Sequence, residues 1–544
     1  MAAQGKRKRE VESNGVGVGD ARPYTEGRDG NRGGGGGGGG GAEEEVDLAM
    51  LEALENASEV VEVLDVRGLK KLVLAFERKL RDNLEARMKY ADQPDKFMES
   101  EVDLDDEVKK MHALAANPDL YPELVKLNSV GSIIGLLSHD NTDISIAVVN
   151  LLNDLTGEDV IGENDEPAKV LVDALIENNA LELLVQNLSR MDETDGDEAT
   201  AVFHTLSIVE NMIEVNPQVA ELVCERTKLL RWLLNRIKVR EFDSNKLYAS
   251  EILAILLQNS NVNQKKLGQL NGVDTMLQAV AFYKSRDPKT NEEEEMLENL
   301  FDCLCSLVMP MENKDRFVKA EGVELMIIIM KQKRLAYSSA MKTLDFAMTQ
   351  CPAACERFVD VLGLKTLFAA FMGKVPMKSK NRGDRSQEET EERVISLIAS
   401  LFDCLSRGSR RERLLSKFME NEFEKIDRLM ELYVRYSDRV AAETKRLDSQ
   451  QFDDVEMDDE DKYLAKMEAG LYTLQLLALI MAHIWSAEHS GMQERLALLL
   501  KQRRLQQELV KAVLQEYHDN IGDMDGPEEK ERRRGKIQKL ISSM

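Results

Sequence analysis

A chain of 544 residues exceeds what one compact core supports, so its buried surface must be divided among domains or strung along a repeat array. With 43% hydrophobic residues it can bury a large core, while 5% aromatics and only 11 prolines lean toward helices over a β-sandwich. The 72 Lys and Arg against 98 Asp and Glu leave a formal charge of −26, which disfavours the phosphate-neutralising surface of an unaided nucleic-acid binder and makes basic protein segments the natural electrostatic partners.

Residues 1–42 hold the basic cluster Lys6-Arg7-Lys8-Arg9 and an unbroken glycine run from Gly33 to Gly41. They have too little apolar surface to order themselves and read as a disordered tail. An extended basic cluster of this kind is what an import receptor can grip, so the four cations are the candidate nuclear-localisation signal. No apolar signal core and no uncharged apolar run of about 18 residues occurs, so neither secretion nor membrane spanning is expected of what reads as a soluble chain.

Residues 43–116 read as an N-terminal helical cap. Leu48, Leu51 and Leu54, then Leu69, Leu72, Val73, Phe76 and Leu80, recur at spacings of three and four. A polar, acidic interruption with Pro94 is expected over 91–107, with helices resuming near Val108.

Residues 117–408 are a repeat. Apolar segments start at Ser129, Asn179, Lys228, Gly272, Gly322 and Gly363, at intervals of 50, 49, 44, 50 and 41 residues. The mean, about 47, fits the roughly 40 to 47 residue armadillo or HEAT unit and not the roughly 34 of a tetratricopeptide. Each segment precedes a longer amphipathic helix, expected over 145–156, 198–215, 245–260, 293–309, 338–351 and 391–407. A shorter helix leads into several units, as at Pro167–Asn178, Pro217–Glu225, Lys314–Ala320 and Pro352–Leu362, with prolines suited to a first turn. Gly272, Gly322 and Gly363 are read as the bends between helices, where glycine tolerates positive φ. Three helices per unit is the armadillo arrangement. No unit covers its own apolar face, so the units must stack into an all-α, right-handed superhelical solenoid with a groove lined by the third helices.

A polar insertion is expected at 374–390. Residues 409–521 read as a C-terminal helical region, with a long helical stretch over Arg410–Arg446, an acidic loop at Asp453–Asp461 and amphipathic helices over Leu464–Leu514. Residues 522–544 read as a charged, frayed tail.

No catalytic chemistry is legible. The chain has no G-x-x-x-x-G-K-[ST] loop, H-E-x-x-H, G-x-S-x-G or C-x-x-C, and its six histidines, at 112, 139, 204, 483, 489 and 518, are scattered. Cys303-x-Cys305 and Cys351-x-x-x-Cys355 are the nearest metal-like spacings. Both lie in apolar helical patterns without a neighbouring histidine, so they are expected to be buried structural thiols, and the usage of all six cysteines, Cys224 and Cys404 included, suits a reducing compartment. No metal, cofactor or catalytic residue is assigned, and the chain is read as no enzyme.

The third helices present polar side chains a turn apart. Asn150 and Asp154 stand on the first, Ser207 and Asn211 on the second, Glu251 on the third, and Asp302 and Ser306 on the fourth. Amide, hydroxyl and carboxylate groups in such a row suit a basic, extended guest, held through its backbone and its charges. The loop bearing Lys374, Lys378, Lys380, Arg382 and Arg385 is read as solvated, and direct RNA contact is not expected. Self-association is left open.

These residues carry a resemblance. The segments NPDLYPELVKLNSVGSIIGLLSHDNTDISIAVVNLLNDLTG (Asn117–Gly157), FDSNKLYASEILAILLQNS (Phe242–Ser260) and EEEEMLENLFDCLCSLVM (Glu292–Met309) resemble the beta-catenin-like family of nuclear armadillo proteins associated with the spliceosome. The likeness continues more loosely over roughly 43–544. It implies a place in the spliceosomal nineteen complex, whose Myb-related scaffold would be a partner, with the armadillo surface binding basic segments of splicing factors. The family's import signal is N-terminal and basic, and Lys6 to Arg9 occupy the matching place. A nuclear import adaptor on the same fold is the alternative. Such adaptors grip lysine stems with a tryptophan and asparagine pair on each third helix. Here the only tryptophans are Trp232 and Trp485, neither in that place.

Overall fold

The computed structural model describes residues 64–157, 166–374, 384–450, 458–522 and 526–544. The expected tail with Lys6, Arg7, Lys8 and Arg9, the first part of the cap, and positions 375–383 of the basic loop lie outside the described residues.

Among the described residues the regular structure is helical throughout. The long helices are α1 (Val66–Lys89), α2 (Met98–Lys110), α3 (Thr142–Leu155), α4 (Gly196–Val215), α5 (Ser244–Leu257), α6 (Asn291–Leu307), α7 (Tyr337–Met348) and α8 (Asp384–Cys404). Two shorter helices precede each of α3 to α8, making six three-helix units. After these come α9 (Ser409–Gln450, broken at Glu420–Phe423) and α10 (Leu471–Trp485). Each long helix packs on the next, in a row that runs from α2 through α8 to α10, and equivalent short helices stack on one another alongside. This is the solenoid that the period implies, because contacts pass between neighbouring units and one continuous core runs through them.

Local chemistry sets the helix starts. The N-cap side chains of Asn141, Asp195, Asp243 and Thr290 accept backbone N–H groups at the heads of α3, α4, α5 and α6. Each satisfies a donor that the first turn leaves unpaired. The apolar faces do the rest. On α3 Val148, Val149 and Leu151 are fully buried, and each such side chain contributes about 1.5–3 kcal/mol relative to exposure.

A buried amide recurs between units. Asn263 Nδ2 donates to the carbonyls of Leu256 and Ala220, at 2.8 and 2.9 Å, and Asn313 Nδ2 donates to Leu307 and Gln264, both at 2.8 Å. Each asparagine, in the first helix of one unit, therefore ties itself to the first helix and to the end of the long helix of the preceding unit. At the corresponding place in the next unit, Cys355 Sγ lies 3.4 Å from the carbonyl of Met348 and 3.7 Å from that of Ser400. Cys303, Cys305, Cys351 and Cys355 are buried, as the sequence implies; Cys224 is buried too, and Cys404 is half-buried.

The junction glycines act differently from the expectation. Positive φ falls on the residue before each of them, Asn271 at 60°, Glu321 at 59° and Leu362 at 65°. The glycines open the following helices, where a Cβ would lie 2.6 Å from Leu267, 2.5 Å from Phe317 and 2.6 Å from Phe358 respectively. Their role is close approach, not backbone freedom. The strain sits instead on Leu362, an exposed leucine in the left-handed region, a conformation that costs roughly 1–2 kcal/mol. Leu362→Gly is expected to raise stability by about 1 kcal/mol, read from a denaturant midpoint. A lower midpoint would mean that its side chain holds the turn.

Four other expectations change. Residues 98–110 are helix, not an interruption. Leu104 and Val108 are buried against α1, and the acidic face is met by α1 cations, with Lys79 Nζ 2.6 Å from Asp103 and Arg87 2.5 Å from Glu101. The expected insertion at 374–390 is helical from Asp384 onward. The acidic stretch 453–461 is helical from Asp459. The tail holds a further helix, α11 (Pro527–Ser543), anchored by Ile537 at 5% exposure. Its apolar positions Ile537, Leu540 and Ile541 follow helical spacing but are hidden in a charged sequence.

No single described helix is long and apolar enough to cross a membrane, and α10, the most apolar, is buried along nearly its whole length.

Candidate protein-binding site

The seven ladder residues stand on four helices that are consecutive in the long-helix row: Asn150 and Asp154 on α3, Ser207 and Asn211 on α4, Glu251 on α5, Asp302 and Ser306 on α6. Most are tied to neighbours. Asp154 lies 2.6 Å from His112 Nδ1, and Asn150 Oδ1 lies 2.7 Å from His204 Nδ1. Burial lowers the His204 pKa, so a neutral ring donates its Nδ1–H to the amide oxygen. Lys342 Nζ on α7 donates to Asp302 Oδ1 at 2.6 Å. Ser207, Glu251 and Ser306 are half-buried. Asn211 is 7% exposed and its amide approaches Ser207 Oγ at 3.5 Å, so it braces the helix more than it offers a surface.

The row also holds groups that the sequence reading missed. Glu210 on α4 accepts the Tyr248 hydroxyl at 2.5 Å, and Asn299 on α6 reaches back to Ser250 at 3.3 Å. On α7, burial pushes the Asp345 carboxyl up to about 6, countered by a hydrogen bond from Ser396 and by the charges of Arg393 and Lys314. Its Oδ1 is buried without a hydrogen-bond partner, as is Arg393 Nε on α8. Beyond them Ser400 and Asp403 end the row on α8. Helical spacing was the available signal: Asn299 lies three residues from Asp302 and Glu210 three from Ser207, and the equivalent positions on α7 and α8 pointed to the rest.

The ladder is therefore uneven in charge. From α3 to α6 it is carboxylate, amide and hydroxyl, while Lys342 and Arg393 enter on α7 and α8 and answer Asp302 and Asp345. Carboxylates flanked by amides can accept guanidinium or ammonium groups, and the amides can hold a guest's backbone. No group of three or more His, Cys, Asp or Glu suited to a metal ion occurs among the described residues.

The family described as catenin-beta-like, Arm-motif containing nuclear matches residues 46–515. Beta-catenin-like protein 1 of Bos taurus is 45% identical over 490 residues, covering 88% of this chain and 86% of its own. The Homo sapiens protein of that name gives the same identity and coverage. The Beta-catenin-like protein 1 homolog of Schizosaccharomyces pombe is 36% identical over 476 residues, 86% of this chain and 81% of its own.

Proposed function

The chain belongs to the catenin-beta-like, Arm-motif containing nuclear family, and from that membership we propose that it is a non-enzymatic nuclear scaffold whose ladder holds basic, nuclear-localisation-type segments of splicing factors. The Myb-related scaffold of the nineteen complex is the foremost partner in this reading, and an import receptor would take the tail through Lys6 to Arg9. The observation that carries it is the run of Asp154, Glu210, Glu251 and Asp302 along four stacked helices of a chain with net charge −26. An extended guest would lay its cations over α3 to α6 and meet like charge at Lys342 and Arg393, before Asp403 restores a carboxylate at the end of α8. That change of sign gives the guest a direction as well as a place.

Capture should be electrostatic in character. A labelled basic segment is expected to bind with an affinity that falls steeply between low and moderate salt, because exposed charges are screened within about 8–10 Å at such ionic strengths. Equal capture of an acidic peptide of the same length would sink the reading.

A further inference from the structure

The last rung of the ladder is already filled by a basic segment of the chain itself. Helix α11 carries Lys530, Arg532, Arg533, Arg534, Lys536 and Lys539. Lys536 Nζ lies 3.1 Å from Asp403 Oδ1 and 3.5 Å from its carbonyl oxygen, at the end of the α8 face. Arg533 Nη2 donates to the Tyr517 hydroxyl at 3.3 Å, on the neighbouring helix Gln507–Asp519. Between α8, α10, that helix and α11 lies a cavity of about 70 Å³, to which Ser396, Ser400, Asp403, Tyr472 and Tyr517 all contribute. A carboxylate, two hydroxyls and two phenols around one opening make a receiver for a cation with an aliphatic stem.

The polar grip on the site itself is weak, although Leu540 and Ile541 pack half-buried on the core and Arg534 donates to the carbonyls of His518 and Asp519, at 3.2 and 3.0 Å. Ile537 is the one fully buried side chain of α11, and it lines the cavity together with Lys536 and Leu540. The Lys536 side chain is 41% exposed and that of Asp403 35%, and ion pairs this open to water hold weakly. A segment tethered next to its site needs little intrinsic affinity, since its effective concentration is high.

We propose that Asp403, with Ser396 and Ser400 beside it and Tyr472 and Tyr517 around it, is a binding site for a lysine or arginine of a basic partner peptide, and that α11 fills this site in cis until such a peptide displaces it. The inference rests on the reading of the ladder as a receiver of basic segments and adds a terminal subsite under competition. Helix α11 packs against α10 and the helix Gln507–Asp519, away from α3 to α6, so a guest would engage α3 to α6 first and gain the last rung by exchange.

The test uses the full-length chain and a labelled lysine–arginine peptide. Lys536→Glu combined with Ile537→Asp should release α11 and tighten peptide binding about tenfold, the gain expected when a competent state rises from a tenth of the population to nearly all. Adding Asp403→Lys should cancel that gain. In the unmodified protein, saturating peptide should speed amide hydrogen exchange over 527–543 while leaving α10 protected. Two results would overturn the proposal: unchanged peptide affinity when α11 of the double variant exchanges freely, or α11 exchange that ignores the peptide in the unmodified chain. Because the second measurement needs no substitution, misfolding of the variant cannot rescue the idea. If reversal of the α3–α6 carboxylates abolishes binding while α11 stays indifferent, the ladder stands and the cis occupant falls. If binding ignores both sets of substitutions, the ladder reading itself has failed.

Discussion

Asp154→Lys, Glu251→Lys and Asp302→Lys combined are expected to weaken capture of a labelled basic peptide by about a hundredfold at moderate salt, or roughly 2.7 kcal/mol. These carboxylates sit on three different helices of one row, so an extended guest meets them in succession. The effect combines lost attraction with new repulsion. At position 302 a lysine would face Lys342, whose ammonium now lies 2.6 Å from the Asp302 carboxylate. At position 154 the partner His112 loses its acceptor. The fold should tolerate the change, because the Asp154 and Asp302 side chains are 47% and 42% exposed and such ion pairs are worth about 0–1 kcal/mol each. An unchanged helical circular-dichroism signal is the control. High salt should shrink the difference between variant and parent. Equal capture by both at moderate salt would remove the ladder from consideration as the docking surface.

The largest expected loss of stability comes from a residue that makes no contact with any guest. Asn313→Ala deletes an amide that is 0% exposed and donates to two main-chain carbonyls, those of Gln264 and Leu307. Two buried acceptors would lose this donor and a small cavity would open, at a cost of about 2–4 kcal/mol. Arg316 would also lose the Asn313 oxygen, now 2.6 Å from its guanidinium. In a stack whose units touch only their neighbours, such damage is local, so the thermal transition should broaden as well as shift down. Asn263→Ala, with the equivalent pair of carbonyls at Leu256 and Ala220, should behave alike. A variant within 0.5 kcal/mol of the parent, on the scale of an ordinary surface substitution, would mean that water replaces the amide and that the staple is dispensable.

Much of this architecture is legible in the residues. The spacing of the apolar segments predicts units, and the expected long helices over 145–156, 198–215, 245–260 and 293–309 coincide with α3 to α6 to within three residues at either end. Misreadings occur where a helix is polar over most of its surface. The acidic helix α2 looks like a loop because its charges are answered by Lys79 and Arg87 of α1, which no local pattern reveals. Helix α11 looks like a frayed tail because its few apolar anchors, Ile537, Leu540 and Ile541, stand in a charged sequence whose partners, Asp403, Tyr517 and the carbonyls of His518 and Asp519, no local pattern reveals. Gly322 looks like a hinge, and its use is to leave room for Phe317.

The candidate site divides along the same line. Asn150, Asp154, Ser207, Glu251 and Asp302 can be found from position within a unit. Their partners cannot, since His112 lies 42 residues from Asp154, His204 lies 54 from Asn150, Lys342 lies 40 from Asp302, and Lys536 lies 133 from Asp403. By itself the sequence determined the three-helix period, the rough span of the long helices α3 to α7, the lack of any recognisable catalytic motif and the acidic balance, because each of these is a property of composition or of spacing within a few turns. Only the tertiary structure decided which rungs are braced, where Lys342 and Arg393 turn the ladder's charge, and that a basic helix closes its far end. Those outcomes depend on the register of one unit against the next, and register is set by side-chain packing across separations of roughly a whole repeat or more, which no local pattern encodes.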